Sequence, residues 1–225
     1  MLDRSPATAQ HEAYRYLRDQ ILTGALGADD LIKPDNVAQM LGISRMPVRE
    51  ALRQLDSEGL VLMRPNRSAV VTRLTGAELR DLFQMRAELE ALAVRDAVLN
   101  LTDENKAELQ TLRQRMDRVQ NAPAEWIARH DDLHHYICQL SGRRRLTQEI
   151  HRIRQAVRPF LSTYIKEFEG FEMRGLEHST LIETIVEGDP DIAAEMMRQH
   201  VSQPIAELTH FYESRGANKL SDDST

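Results

Sequence analysis

The sequence predicts a mostly α-helical chain in two parts: a small N-terminal unit of helices closed by a two-stranded β-hairpin, and a larger bundle built only of helices. Three observations carry this. Apolar residues recur at helical spacing over most of the 225 residues. The period changes clearly in one place, where Leu60-Val61-Leu62-Met63 and Ala69-Val70-Val71-Thr72 form apolar, β-branched runs around Arg64-Pro65-Asn66-Arg67-Ser68, the pattern of a hairpin with a basic tip. The length exceeds that of a usual single domain, so two cores are expected. The boundaries fall at 1–74 for the first unit and 75–215 for the second, and the small, polar tail 216–225 is expected to be disordered.

In order along the chain, Tyr14, Leu17, Ile21, Leu22 and Ala25 mark a helix over about 11–25, with Gly24 and Gly27 at its exit. After a turn from Ala28 to Pro34, residues 35–42 read as a two-turn helix with Asp35 as N-cap and Gly42 as its stop. Ile43-Ser44-Arg45 is a tight connection. Ser44 is placed to cap the next helix, about Met46 to Gly59, with Pro47 in its first turn and Val48, Ala51, Leu52 and Leu55 as its apolar stripe. Helices, a tight turn and a hairpin in this order make a winged helix-turn-helix. From Thr75 onward the pattern predicts helices near 76–99, 102–120, 123–140, 144–168, 173–187 and 190–212. Thr75, Thr102 and Asp189 stand at cap positions, Pro123 and Pro190 at helix openings, and Gly142, Gly170 and Gly188 at ends. Pro159 and Pro204 are expected to bend or break their helices.

The net charge of −6 is unevenly spread: residues 1–75 hold ten Lys/Arg against nine Asp/Glu, and within 36–73 six arginines face three acids. The positive charge therefore sits where a DNA reader needs it. No apolar run approaches membrane-spanning length, the first residues lack the layout of a secretory signal, and the single Cys138 cannot form an internal disulfide. A reducing cytoplasm is the expected compartment, with no membrane partner.

In a helix-turn-helix the second helix enters the major groove and its N-terminal residues reach base edges. Here those residues are Ser44, Arg45, Met46, Pro47, Arg49 and Arg53. Arg45 and Arg49 share one face and each can offer paired donors to guanine O6 and N7. Arg53, a turn further on, is suited to phosphate, and Asn66 and Arg67 at the wing tip to the backbone or adjacent minor groove. The alternative is a solvated arginine face, which the surrounding capped turn and basic hairpin argue against. The run Leu41-Gly42-Ile43-Ser44-Arg45-Met46-Pro47-Val48-Arg49-Glu50-Ala51-Leu52-Arg53-Gln54-Leu55, followed by Glu58-Gly59-Leu60-Val61, resembles the GntR family of transcriptional regulators. The resemblance implies operator DNA as partner and base contacts from Arg45 and Arg49. The chain departs from the family pattern at Asp35, where an arginine is common, and at a wing tip lacking glycine.

Four of the eight histidines fall on inward-facing helical stripes: His130 and His134 with Ile127 and Ile137, His178 with Leu181, Ile182 and Ile185, and His200 with Ile192 and Met196. Imidazole suits borderline divalent ions, and i,i+4 spacing lets two rings meet one ion; a set of hydrogen-bonded core histidines is the alternative. Residues 76–212 resemble the FCD ligand-sensing domain of FadR-type GntR regulators, through Leu82-Phe83-Gln84-Met85-Arg86-Ala87-Glu88-Leu89-Glu90, Leu133-His134 before Ser141-Gly142, Glu177-His178, and Gly188-Asp189-Pro190 leading to His200. In metal-binding members the ligands fall at the positions of His130, His134, His178 and His200, the first usually a carboxylate or amide. A shifted register using Asp131 and His135 stays open, though both lie about 100° around the helix from the stripe. Zinc is the expected ion, with Ni, Mn or Fe as alternatives.

Arg86 is expected to clamp the carboxylate of an organic-acid effector, against the alternative of a surface ion pair with Glu90. Cys138, Trp126, Met196 and Met197 read as core. The whole then reads as a homodimeric repressor controlled by a metal-adjacent metabolite, with a metal-free regulator of a bulkier ligand as the alternative. A metallo-hydrolase is disfavoured, because no general base stands one turn from the histidines and no catalytic motif appears.

Overall fold

The computed structural model describes residues 6–65, 68–119, 122–167 and 174–222. The chain divides into two compact units, residues 1–74 with 158–163, and residues 75–157 with 164–225.

The first unit contains α1 (Pro6–Leu22), β1 (Leu31–Ile32), α2 (Pro34–Leu41), α3 (Arg45–Ser57), β2 (Val61–Met63) and β3 (Ala69–Val71). The stripe Val48, Ala51, Leu52 and Leu55 on α3 is fully buried, packed with Leu17 and Ile21 of α1 and with Leu60 and Val61. Gly42 ends α2 at φ 63°, a left-handed conformation in which its N–H reaches back to the carbonyls of Ala38 and Gln39. That sharp stop is what lets α3 begin three residues later.

Three local expectations are corrected. Asp35 is not an N-cap: Lys33 takes that position, Pro34 opens the helix, and Asp35 lies in the first turn, where its negative charge is favourable. The wing is a three-stranded antiparallel sheet, ordered β1-β3-β2, because β1 adds Leu31 opposite Val70. Ser44 holds the N-cap position of α3 in extended conformation, but its hydroxyl makes no capping bond.

The second unit contains α4 (Gly76–Leu99), α5 (Asp103–Asp117), α6 (Pro123–Leu140), α7 (Arg144–Glu167) apart from its residues 158–163, α8 (Arg174–Glu187), α9 (Pro190–Ser202) and α10 (Ile205–Asp222). The cap positions read from sequence are occupied as expected. Thr75 and Thr102 form capping boxes with Glu78 and Asn105, and Asp189 accepts from the amides of Asp191 and Ile192. Helix α4 is central, packing on α6, α9 and α10, and its Ala87, Ala91, Ala93 and Ala97 are buried. Gly76 opens it because a Cβ there would lie 2.8 Å from a Glu213 carboxylate oxygen on α10.

The predicted helix 190–212 is two helices, since Pro204 lacks the N–H that would bond the carbonyl of His200. Pro159, by contrast, stays inside α7. The tail expected to be disordered from Gly216 continues as helix to Asp222. Without a proline after Pro204, a single glycine costs a helix only about 1 kcal/mol. No helix among the described residues is long and apolar enough to cross a membrane.

Candidate nucleic-acid interface and metal centre

The first turns of α3 gather the arginines singled out in the sequence. Arg45, the first residue of the helix, is well exposed, and its Nε donates to Asp35 Oδ1 at 2.8 Å. Arg49, one turn on, is half-buried, and its Nε has no hydrogen-bond partner among the described residues. Arg53 donates to Glu50 at 2.8 Å on the exposed side. Ser44 is exposed, and so is Met46. Pro47 departs from expectation: it is buried, turned into the helix-turn-helix core rather than outward, so its part is to shape the first turn. Asn66 and Arg67 lie outside the described residues.

In the second unit α6, α8 and α9 bring four imidazoles together. One ring nitrogen from each of His130, His134, His178 and His200 lies within 4.8 Å of the others. His130, His134 and His178 are buried, and His200 is partly exposed. His130 and His134 are one turn apart with centroids 4.4 Å apart, and Trp126, a turn before, stacks on His130 at 4.9 Å. His135, in the shifted register, is instead directed to Gln139 at 3.0 Å and to the His151 ring.

Behind the imidazoles lies a buried charge network. Glu90 on α4 is fully buried and accepts from Arg86 Nε at 2.5 Å, Arg154 Nη1 at 3.1 Å and His134 Nδ1 at 2.7 Å. Arg154 on α7 also donates to Asp131 Oδ1 at 2.6 Å. Burial by itself would raise the Glu90 carboxyl, but Arg86, Arg154 and His134 hold it well below the usual carboxylate range. Glu90 is thus an acceptor only, and His134 must donate through Nδ1–H. Its Nε2 lone pair is left facing His200 Nε2 at 3.3 Å.

Burial, then the positive charge of Arg154, pushes the His134 imidazole down to about 4. Burial and the neighbouring imidazoles push His130 and His200 well below the ordinary histidine range. All three rings are therefore neutral at physiological pH, the state a metal ligand requires. The Nδ1 atoms of His130 and His200 are buried with no hydrogen-bond partner among the described residues. Two nitrogens about 2.0–2.1 Å from a tetrahedral ion lie about 3.3–3.4 Å apart, which the His134–His200 spacing matches. The residues present fit a divalent ion.

Of the two roles considered for Arg86, the ion pair with Glu90 is formed, yet inside the protein rather than on a helix surface, with 4% of Arg86 exposed. Its charge reaches His130, His134 and His200, lowering each. Sequence reasoning missed Arg154. The available signal was its place among Ile150, Ile153 and Val157, an arginine inside an apolar stripe. Met196, expected in the core, instead lines a recess of about 410 Å³ with Thr180, Gln199, His200 and Gln203. Cys138 is buried beside Ala93 and Ile150, and burial raises its thiol, so it acts as a small packed hydrophobe.

Residues 9–71 match the family described as bacterial regulatory proteins, gntR family, and residues 81–203 match the FCD domain. The Escherichia coli K12 protein HTH-type transcriptional repressor GlaR is 28% identical over 209 residues, covering 86% of this chain and 93% of that protein. The HTH-type transcriptional regulator McbR of the same organism is 36% identical over 104 residues, 46% of this chain and 47% of that one. The solved structure of Escherichia coli McbR/YncC superposes with a TM-score of 0.80 at 25% identity, covering 91% of this chain and 98% of that chain. A GntR regulator from Rhodococcus sp. RHA1, at 18% identity and TM-score 0.75, covers 90% and 98% and shows the same fold.

Proposed function

The chain belongs to the GntR family of DNA-binding transcriptional regulators that carry an FCD domain, and from that premise we propose that it is a metal-dependent, organic-acid-responsive repressor acting as a homodimer on operator DNA. The observation that carries the sensing part is the convergence of four imidazoles, with ring nitrogens within 4.8 Å of one another, near the buried cation Arg86.

On the DNA side, Arg45 and Arg49 are assigned to guanine O6 and N7 in the major groove, Arg53 to a phosphate, and Asn66 and Arg67 of the wing to the backbone or adjacent minor groove. The uncapped amides at the start of α3, beside the exposed Ser44 hydroxyl, favour a phosphate oxygen as well. Two such units in a homodimer read inverted half-sites. The relative GlaR is named a repressor, which supports that sign of regulation here.

On the sensing side, His130, His134, His178 and His200 would hold the ion, zinc by ligand type, with Ni, Mn or Fe as alternatives. A divalent ion bound there supplies a Lewis-acidic point for one oxygen of a carboxylate. Glu90 fixes the His134 tautomer, and Arg154 fixes Glu90. Arg86, already anchored through Nε, presents its remaining guanidinium N–H groups to the effector's carboxylate. The recess that reaches His200 has a volume suited to a small metabolite. Because α4 carries both Arg86 and Glu90 and starts directly after residue 75, a ligand that pulls on Arg86 pulls on the helix leading out of the DNA-binding unit.

The test is a titration of operator DNA with wild type and His134→Ala across a panel of small organic acids. Wild type should lose operator affinity with at least one acid while the variant does not respond. An identical response in both would overturn the sensing role.

A further inference from the structure

Helix α4 carries an exposed stripe that nothing in its own chain covers among the described residues. Met85, Leu92 and Leu99 are 53%, 39% and 70% exposed and follow one another every seven residues. Between them, also exposed, run Asp81, Glu88 and Arg95, so that the stripe alternates charged and apolar residues at spacings of four and three. A repeat of seven keeps its seam on one side only against a second helix, because an isolated helix of 3.6 residues per turn carries such a seam around itself. The stripe therefore has the pattern of a helix-pairing face.

Its charges say which partner fits. Paired in parallel with its own copy, the stripe sets Glu88 against Glu88 and Arg95 against Arg95. Paired antiparallel with Leu92 on the twofold axis, it sets Leu92 on Leu92, Met85 on Leu99, and Glu88 beside Arg95 of the second copy. Every apolar residue then meets an apolar one and every charge in the centre meets its opposite. The flanks behave likewise: on α9, Arg198 holds Glu88 at 2.8 Å and Asp191 holds Arg95 at 2.9 Å, so both charges are already oriented on the face. Ile192, 57% exposed beside Asp191, adds apolar area to the same side.

We infer that this face of α4 joins two copies of the chain, antiparallel about a twofold axis at Leu92. The inference rests on the homodimer of the proposed reading and assigns its surface. The interface is isologous, so each residue of the stripe is used twice and no open-ended chain can form.

Single-cysteine substitution tests it on the intact protein, with wild type, whose only Cys138 is buried, as the blank. Under mild oxidation Leu92→Cys should give a disulfide-linked dimer. Met85→Cys alone should not, because the two copies of residue 85 would lie about 21 Å apart along the helices, beyond disulfide reach. The double variant Met85→Cys/Leu99→Cys should cross-link. In sedimentation equilibrium, Leu92→Glu, a change at an exposed position, should weaken the dimer at least tenfold. A dimer that ignores Leu92→Glu and does not cross-link through Leu92→Cys overturns the α4 face but leaves the homodimer standing. A chain that is monomeric at tens of micromolar overturns both, and cross-linking of Met85→Cys as readily as Leu92→Cys overturns the antiparallel register.

Discussion

Replacing Glu90 by glutamine keeps the shape of a fully buried side chain and removes only its charge. In the native protein Glu90 and Asp131 balance Arg86 and Arg154 through bonds of 2.5, 3.1 and 2.6 Å. In Glu90→Gln one of the two buried guanidiniums, Arg86, is left without a counter-charge. Removing one partner of a buried pair costs about 3–5 kcal/mol, since the remaining ion is still desolvated. For a protein of this size each kcal/mol moves Tm by about 2–4 °C, so a fall of roughly 10 °C is expected. The metal site should suffer separately. If the glutamine amide donates to His134 Nδ1, that ring must carry its proton on Nε2, the atom aimed at His200, and ion affinity should fall about 10–100-fold. The stability effect is measured by thermal and urea unfolding of chelator-treated protein at pH 7.5, and the affinity by competition with a colorimetric chelator. The double variant Glu90→Gln/Arg86→Met removes the stranded cation and should recover at least half of the lost stability while leaving ion affinity low. A single variant within 1 kcal/mol of wild type, or a double variant no more stable than the single one, would refute the charge-balance reasoning.

Two further outcomes are expected. His130, His134 and His200 have folded-state values below the ordinary 6.5, so the unfolded chain binds more protons than the folded one at mildly acidic pH. Stability of the metal-free protein from these groups is thus complete above about pH 7 and is lost as pH falls from about 6.5 toward 4; unfolding curves at pH 7.5 and 5.5 check it, and an unchanged or higher midpoint at 5.5 would contradict it. On DNA, Arg45→Ala and Arg49→Ala should each lower operator affinity about 10–100-fold with less loss on random duplex, whereas Arg53→Ala should weaken both equally; fluorescence anisotropy at fixed salt separates the two patterns.

Much of the architecture could be read from the chain because its signals are local. Caps at Thr75, Thr102 and Asp189, the stop at Gly42 and the stripe on α3 each depend on a few neighbouring residues. The four histidines could be grouped because each lies on an apolar helical face. What escaped depends on distant partners or on very little chain. Strand β1 is two residues long and exists only by pairing with β3. Arg154 stands inside an apolar stripe in the sequence, but its partners Glu90 and Asp131 come from α4 and α6, far away along the chain. Pro47 falls among the first residues of the second helix, where base-reading side chains are expected, but the helical turn buries it with Val48. The α4 stripe, too, becomes informative only once α9 is known to lie beside it.

Metal-dependent sensing requires the four imidazoles to act as one ligand set. Metal analysis of the protein after gel filtration, followed by X-ray absorption at the edge of whichever ion is found, tests that directly. The expected result is close to one divalent ion per chain, with a first shell of nitrogen at about 2.0–2.1 Å for zinc that is lost in His134→Ala. A protein that takes up no ion even when supplied with zinc, nickel, manganese or iron, or an ion whose shell is unaltered in His134→Ala, would contradict it.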